Sequence, residues 1–522
     1  MSIGSNTIWV ALESLLLDEN EIGDRGAAAL KNNTSWTNLK ALWLNGNKIG
    51  DEGAISLGSN TTWTSLETLA LDDNDIGDKG AAGIANNTAW NQLKELTVSN
   101  NKIGDAGAVS IGSNIVWVNL EALHLHMNEV SDTGAKAIGT SNVWSNLKEL
   151  RLDTNQIGDE GAISIGSNTK WAELEVLTLY CNKFGEKGAR AIVSNATWRE
   201  LKILRLKRTR LGEECAKAIG SNTTWTNLEK LVLIANELGD LGLKMIGQST
   251  TWNKLKHLHL DQNRIGNEGA IAIGSNTTWT DLKGLSLFKN EIGDEGAVAI
   301  GKNQTWKNLK WLFFSNNKLG DQVAAAIGSN SCWTNLEKLS LRTNQIGDIG
   351  ARALGNNCSW RKLKEFNLSE NKITDESLHF IAKNPNWPNL EIFYIFNNSF
   401  NDPTSIRSLF TGEVWQNLKQ FGCCSSPALQ DILEARQNQK PASEVYLLSK
   451  GLVDDDATVL RDSLPSTLEV LVLSQNQIDD KGVQRISRNS TWTNLKQLGL
   501  SENKITDEGA EKIAHNNTWV HL

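Results

Sequence analysis

The amino-acid sequence predicts an α/β solenoid of about nineteen repeats, each built from one short strand and one short helix. Three observations predict it. Tryptophan recurs every 27 residues from Trp9 to Trp387, Trp415 follows at 28, and Trp492 and Trp519 are again 27 apart. A Leu-x-Leu alternation or a close apolar variant follows most of these tryptophans, and a Gly-Asp-x-Gly-Ala-like block follows the alternation. A fixed period of this size marks units that cannot bury an apolar face alone and therefore stack on their neighbours.

One repeat justifies each element in order. After Trp36 come Leu39, Leu42 and Leu44, then Asn47 and Ile49. The Leu42-x-Leu44 alternation reads as a short strand with one buried face. Asn47 recurs in register as Asn74, Asn101, Asn128, Asn155 and Asn182, then from Asn236 to Asn398. Its carboxamide suits the turn backbone of its own and the neighbouring repeat, which a tight turn would otherwise bury unpaired. Asp51 reads as an N-cap and Gly58 as a C-cap, enclosing a helix of about two turns. Gly53 costs helix propensity, so its recurrence reads as close packing against the strand layer. Ser-Asn-Thr-Thr then returns the chain, and the next tryptophan seals the core. The sequons at Asn33, Asn60, Asn195, Asn222 and Asn276 read as this turn chemistry rather than as glycosylation sites.

Composition narrows the class. The 522 residues carry a net charge of −8, which argues against a general polyanion binder. Six cysteines without a C-x-x-C form neither a disulfide framework nor a metal knuckle, and Cys423-Cys424 adds none. No apolar run approaches the length of a membrane span, and the start lacks a basic n-region. The expectation is a cytoplasmic protein with no membrane and no nucleic-acid partner.

The strings LKALWLNGNKIGDEGA and LEKLSLRTNQIGDIGARALG resemble leucine-rich repeats of the ribonuclease-inhibitor-like class. That class includes the repeat domains of NOD-like receptors and of the Ran GTPase-activating protein. The tryptophan at the return corner departs from it, since an aliphatic residue is commoner there. The resemblance implies a parallel sheet on a concave face and helices on a convex face, in a horseshoe or superhelix. Strands ~4.8 Å apart against helices ~9 Å apart imply roughly 20–25° of bend per repeat.

The expectation is a single solenoid over 1–522, with regular repeats at 1–398, irregular Pro-containing repeats at 399–465, and regular terminal repeats at 466–522. All six prolines fall between Pro385 and Pro465, and the ladder asparagine gives way to Ser426 and Gly451 there. SSPALQDILEARQNQK (425–440) keeps helical periodicity. Drifted repeats, a hinge and a binding element all fit this window. Neither end carries a polar cap, so the chain reads as a piece of a longer array or as one that self-associates through its ends.

Function is read from the strand positions that are not leucine. Seven residues after each repeat tryptophan the chain carries Leu16, Trp43, Ala70, Thr97, His124, Arg151, Thr178, Arg205 and so on to Phe313 and Tyr394, with no two consecutive entries alike. A constant framework beside a diverse row reads as a ligand-contacting face, with solvated drift as the plain alternative. A basic group (Arg151, Arg205, Lys207 and Arg208, with Tyr180 between) suits an acidic partner loop. An aromatic group comprises Phe288, Trp311 and Phe313, continuing after Arg342 to Tyr394 and Phe396. Trp311 and Trp43 stand outside the repeat register, and Trp311 is the foremost anchor. His124 and His126 lie about five strand spacings, on the order of 24 Å, from His257, His259 and Asp261, too far to share a metal. No catalytic triad, phosphate loop or paired carboxylates emerge, and no cofactor is implied. The chain therefore reads as a non-enzymatic scaffold for a partner protein. A receptor-fragment role and a GTPase-activating role of the Ran-activator type are the alternatives.

Overall fold

The computed structural model describes residues 6–382, 385–395, 397–399, 420–422, 444–446, 452–464 and 466–522. The chain falls into two compact units, Met1–Glu291 and Ile292–Leu522. Among the described residues nineteen strands of three residues are present, one for each expected repeat.

The first unit holds eleven parallel strands, from Ser14–Leu16 to Gly284–Ser286, paired in chain order. Register is constant: Leu15 faces Leu42, and Leu42 faces Leu69. Ten helices alternate with the strands, from Asp24–Lys31 to Asn267–Gly274. Within one repeat Trp36, Leu39, Leu42, Leu44, Ile49, Ala54 and Leu57 are all fully buried. Successive indoles stack, with Trp36 and Trp63 centroids 6.5 Å apart and 20° from parallel.

The second unit repeats the plan. Strands Trp311–Phe313, Lys338–Ser340, Glu365–Asn367, Ile392–Tyr394 and Gln420–Gly422 pair in parallel. Strands Glu444–Tyr446, Val470–Val472 and Gln497–Gly499 form a separate parallel sheet, with a compact core around Leu471, Ile486 and Trp492. Trp415, Phe396, Cys423-Cys424, Ser426, Gly451, Pro403, Pro427, Pro441, Pro465 and the helix expected over 425–440 lie outside the described residues.

The asparagine ladder forms as its chemistry requires. Asn47 Oδ1 accepts the Ile22 N–H at 3.0 Å, and its Nδ2 donates to the carbonyls of Leu17 (2.9 Å) and Leu44 (3.0 Å). A second row occupies the return turn. Asn60 Oδ1 accepts from Thr62 N (2.8 Å) and Trp63 N (3.0 Å), while Nδ2 reaches back to the Lys31 carbonyl at 2.8 Å. Asn33, Asn60, Asn195 and Asn276 are buried in this row, so their amides serve the turn.

The helix ends differ from expectation. Asp51 is the first residue of the helix Asp51–Gly58, whose N-cap is Gly50. Its carboxylate caps the following repeat instead, with Oδ1 accepting from Gly77 N and Gly80 N, each at 2.8 Å. Asp24 does the same for Gly50 (2.7 Å) and Gly53 (2.9 Å), placing a negative charge on the positive end of the next helix. Gly53 is small to admit that carboxylate: an added Cβ would stand 2.6 Å from Asp24 Oδ1, and no strand atom sets the limit. Gly58 is not a left-handed cap but the last helical residue, followed by Ser59 at φ −85°. A Cβ there would lie 2.2 Å from the Gly83 carbonyl oxygen, so glycine permits the close approach of adjacent helices.

Candidate functional site

From Ala41–Trp43 to Ile392–Tyr394 each strand buries its middle residue and turns the flanking two away from the core. In Ala41–Trp43 the leucine is fully buried while Trp43 keeps 37% of its surface exposed. The position seven residues after the repeat tryptophan does therefore lie on the outer strand face. It is less open than the sequence suggests, because Ala70, Thr97, Thr178, Val232 and Ser286 are covered. Polar neighbours close over some of them: the Thr178 hydroxyl donates to Asp153, and the Ser286 hydroxyl to Asp261.

The expected basic group divides. Arg151 and Arg205 stand in one row of the outer face on strands two places apart, with Thr178 on the strand between them. Arg151 Nε donates to Glu149, which also lies 3.3 Å from His124 Nε2. The His124 contact, helped by Arg151, holds the Glu149 carboxyl down at about 2 against its burial. Arg205 Nε is buried and has no hydrogen-bond partner. Lys207 and Arg208 both lie in the turn beyond the strand, Lys207 half-buried and Arg208 exposed.

Between the two arginines sits Asp153, 4% exposed, accepting from the Thr178 hydroxyl and from Tyr180 N at 2.9 Å. Burial pushes its carboxyl up to about 6, although Arg205 and Arg151 oppose that shift. Tyr180 is half-buried beside it, its phenol raised by burial and by Asp153. A carboxyl raised in the fold favours the folded state only while protonated, so its stabilisation fades as pH rises from about 4 through about 6. Asn45, in the same register, accepts the Asp72 N–H at 2.8 Å without any charge. Asp153→Asn is therefore expected to raise stability at pH 8 by on the order of 2 kcal/mol, and much less at pH 4. Urea midpoints at the two pH values check this. Equal gaps at both would show that the carboxylate is not strained by burial.

The histidines do not converge. His124 and His126 rings lie 6.3 Å apart, and His126 Nδ1 is 2.7 Å from Ser99 Oγ. Burial, then Lys230, lowers His259 to about 4, so it is neutral at physiological pH. Among the described residues no three His, Cys, Asp or Glu gather closely enough to hold a metal ion.

The aromatic group also divides. Trp311 and Phe313 flank buried Leu312 and stack at 5.1 Å and 25°, both half-buried, in the second unit. Tyr394 is half-buried on Ile392–Tyr394 of that unit. Phe288 belongs to the first unit, where it is 38% exposed and its N–H donates to Asp261 at 2.8 Å.

A family profile described as "Leucine Rich repeat" matches residues 12–31, 37–58, 64–85, 91–112, 118–139, 145–166, 253–274, 280–301, 334–355, 361–382, 465–487 and 493–514. The chain belongs to the leucine-rich repeat family. No curated protein matches it. Solved structures similar to this leucine-rich repeat chain include an internalin from Listeria monocytogenes str. 4b F2365, at 21% identity over 68% of this chain and 86% of that one, TM-score 0.48. The Arabidopsis receptor kinase HAESA, in complex with the peptide hormone IDA and the co-receptor SERK1, is similar at 20% identity over 96% and 80%, TM-score 0.49. The plant peptide hormone receptor RGFR1, in complex with RGF2, is similar at 18% over 98% and 81%, TM-score 0.46.

One feature of this leucine-rich repeat escaped the sequence reading. Asp153 was visible as one of a series, nine residues after its tryptophan like Asp18, Asp72 and Asp261, but nothing local marks it and Asp261 as the buried members. The break at Thr209, legible in the sequence as a missing ladder asparagine, lies in the unmatched stretch between 166 and 253. Among the described residues no helix is long and apolar enough to cross a membrane.

Proposed function

We propose that the chain is a non-enzymatic scaffold that grips a partner protein with the outer face of its strands. The observation that carries this reading is the Trp311–Phe313 pair: two large rings stacked on each other, part-exposed, on a strand whose folding needs only Leu312 inside. Aromatic anchors of this kind dominate binding energy at protein interfaces. Trp43, Phe288, Tyr180 and Tyr394 extend the same logic along the face, and Arg151 and Arg205 steer an acidic partner. The unsatisfied Arg205 Nε supports a role for that side chain outside the fold's own bonding.

A helix in each regular repeat supports membership of the ribonuclease-inhibitor-like class. The free thiols of Cys181, Cys215, Cys332 and Cys358 support a cytoplasmic setting. No residue-level observation favours the receptor-fragment or GTPase-activating alternatives.

Trp311→Ala is expected to weaken capture of the partner by about 2 kcal/mol or more while leaving the unfolding midpoint within experimental scatter. Calorimetry with the captured partner checks it, with Arg205→Ala in parallel. Unchanged affinity in Trp311→Ala would remove the anchor assignment.

A further inference from the structure

The asparagine ladder breaks once within the first unit, and the break opens a cleft. In a regular repeat, Asn182 Oδ1 accepts the Ile157 N–H at 3.1 Å, and Lys183 N donates to the Ile157 carbonyl at 2.8 Å. One repeat later Thr209 stands in the asparagine position. Its side chain is too short for the span, and its hydroxyl donates to the Leu206 carbonyl at 3.1 Å. Among the described residues, neither ladder bond forms at Phe184, the counterpart of Ile157.

The turns that follow switch together. Asn236 Oδ1 accepts from Thr209 N instead, and Asn263 Oδ1 from Asn236 N, each at 2.9 Å. Leu211 and Leu238 adopt helical backbone, and helices Gly212–Gly220 and Gly239–Gly247 run to nine residues where their neighbours have eight. Arg208 and Arg210 both take left-handed φ, at 57° and 46°. Asn290 carries both patterns, its Oδ1 accepting the Asn263 N–H at 2.8 Å and the Ile265 N–H at 3.2 Å, so the regular bond returns there.

At the seam between the regular and the switched turn lies a cavity of about 480 Å³. Lys183, Phe184, Arg208, Arg210 and Glu237 line it. Three cations thus face one carboxylate, and Glu237 already contacts Arg264 at 3.4 Å. Lys183 Nζ bonds only a neutral amide, Gln156, at 3.1 Å. Among the described residues neither Arg208 nor Arg210 pairs with a carboxylate, although the chain as a whole carries a net charge of −8. Arginines concentrated against the overall charge, beside a backbone amide stripped of its ladder partner, form a cradle for an anion.

We propose that this seam binds a phosphate monoester, presented as a phosphorylated side chain of the partner protein. The excess of two positive charges decides the chemistry: a carboxylate neutralises half of it, while a phosphate monoester brings about −1.5 to −2 at neutral pH and three acceptor oxygens for two guanidinium forks. The source of the phosphate rests on the protein-binding reading above; the anion site itself does not.

The test uses the full chain in phosphate-free buffer, titrated calorimetrically with N-acetyl-O-phosphoserine amide, with N-acetylglutamate amide as the carboxylate control. One site per chain is expected, with at least about tenfold preference for the phosphate probe. Arg208→Ala/Arg210→Ala should lose that binding. Thr209→Asn should also lose it with both arginines retained, because it restores the ladder and closes the seam; circular dichroism confirms that both variants fold. Undiminished binding in either variant, equal binding of the carboxylate, or many equivalent sites would overturn the proposal. Trp311→Ala should bind the probe normally. Loss of the probe site with partner capture still dependent on Trp311 would overturn the seam alone. The converse result would overturn the strand-face reading alone.

Discussion

Trp144→Ala should lower stability by about 3–5 kcal/mol, the usual cost of emptying a large aromatic site in a core. The indole is fully buried, and its row repeats in every regular unit. The more discriminating result is expected from Trp144→Phe, which should lose only a fraction of that amount. The Nε1 of Trp144, like those of Trp117 and Trp171, is buried without a hydrogen-bond partner. An unpaired buried N–H is itself unfavourable by about 1–3 kcal/mol, so phenylalanine removes a penalty along with some packing. Urea unfolding followed by circular dichroism should rank the variants alanine far below, phenylalanine near the parent. Equal losses would mean that the indole nitrogen has a partner, such as a buried water. Because repeats of a solenoid touch only their neighbours, the alanine transition is also expected to broaden or split.

Asn155→Ala should cost a comparable amount for a different reason. Its Oδ1 accepts the Val130 N–H at 3.0 Å, and its Nδ2 donates to the carbonyls of Leu125 (2.9 Å), Leu152 (3.1 Å) and Asp153 (3.3 Å). Truncation leaves one donor and several acceptors buried without partners. At about 1–3 kcal/mol for each orphaned group, the loss is on the order of 4 kcal/mol. Asn155→Asp keeps the acceptor but places a charge against three carbonyl oxygens, so it should rescue nothing. Amide hydrogen exchange at Val130 offers a local readout, with protection lost in both variants. Retained protection there would show that the turn holds itself without the ladder.

The period of 27 made the repeat legible because the same apolar residues must return to the same depth in every unit. Leu42 and Leu44 revealed the strand for that reason, and Asn47 its bonding role. What stayed hidden was which repeat each side chain serves. Asp51 stands where a helix cap belongs, yet its partners lie 26 and 29 residues ahead, a distance that no local pattern reports. Gly58 resembles a helix stop, and only the neighbouring helix shows that its missing Cβ is what matters. At the site, the diversity of the outer strand row was visible, but Thr178 and Ser286 proved covered because residues of adjacent strands bond over them. Thr209 was visible as a break, whereas the switch it sets off through Asn236 and Asn263 depends on which amide each carboxamide chooses.

The forward reach of the aspartates has a consequence for how such a gene can change. Asp24 holds Gly50 and Gly53, Asp51 holds Gly77 and Gly80, and Asp78 holds Gly104 and Gly107, always at the same sequence offsets. An in-frame excision or duplication of 27 codons within the regular stretch therefore rejoins an aspartate to equivalent glycines and an asparagine to an equivalent isoleucine. Junctions of this Asp–Gly kind are chemically interchangeable, so unequal recombination among them can lengthen or shorten the array without creating a new interface. The switched turns after Thr209 are the exception in the first unit. A crossover inside them would join unlike partners, so that segment is the part of the first unit that recombination cannot freely copy or delete.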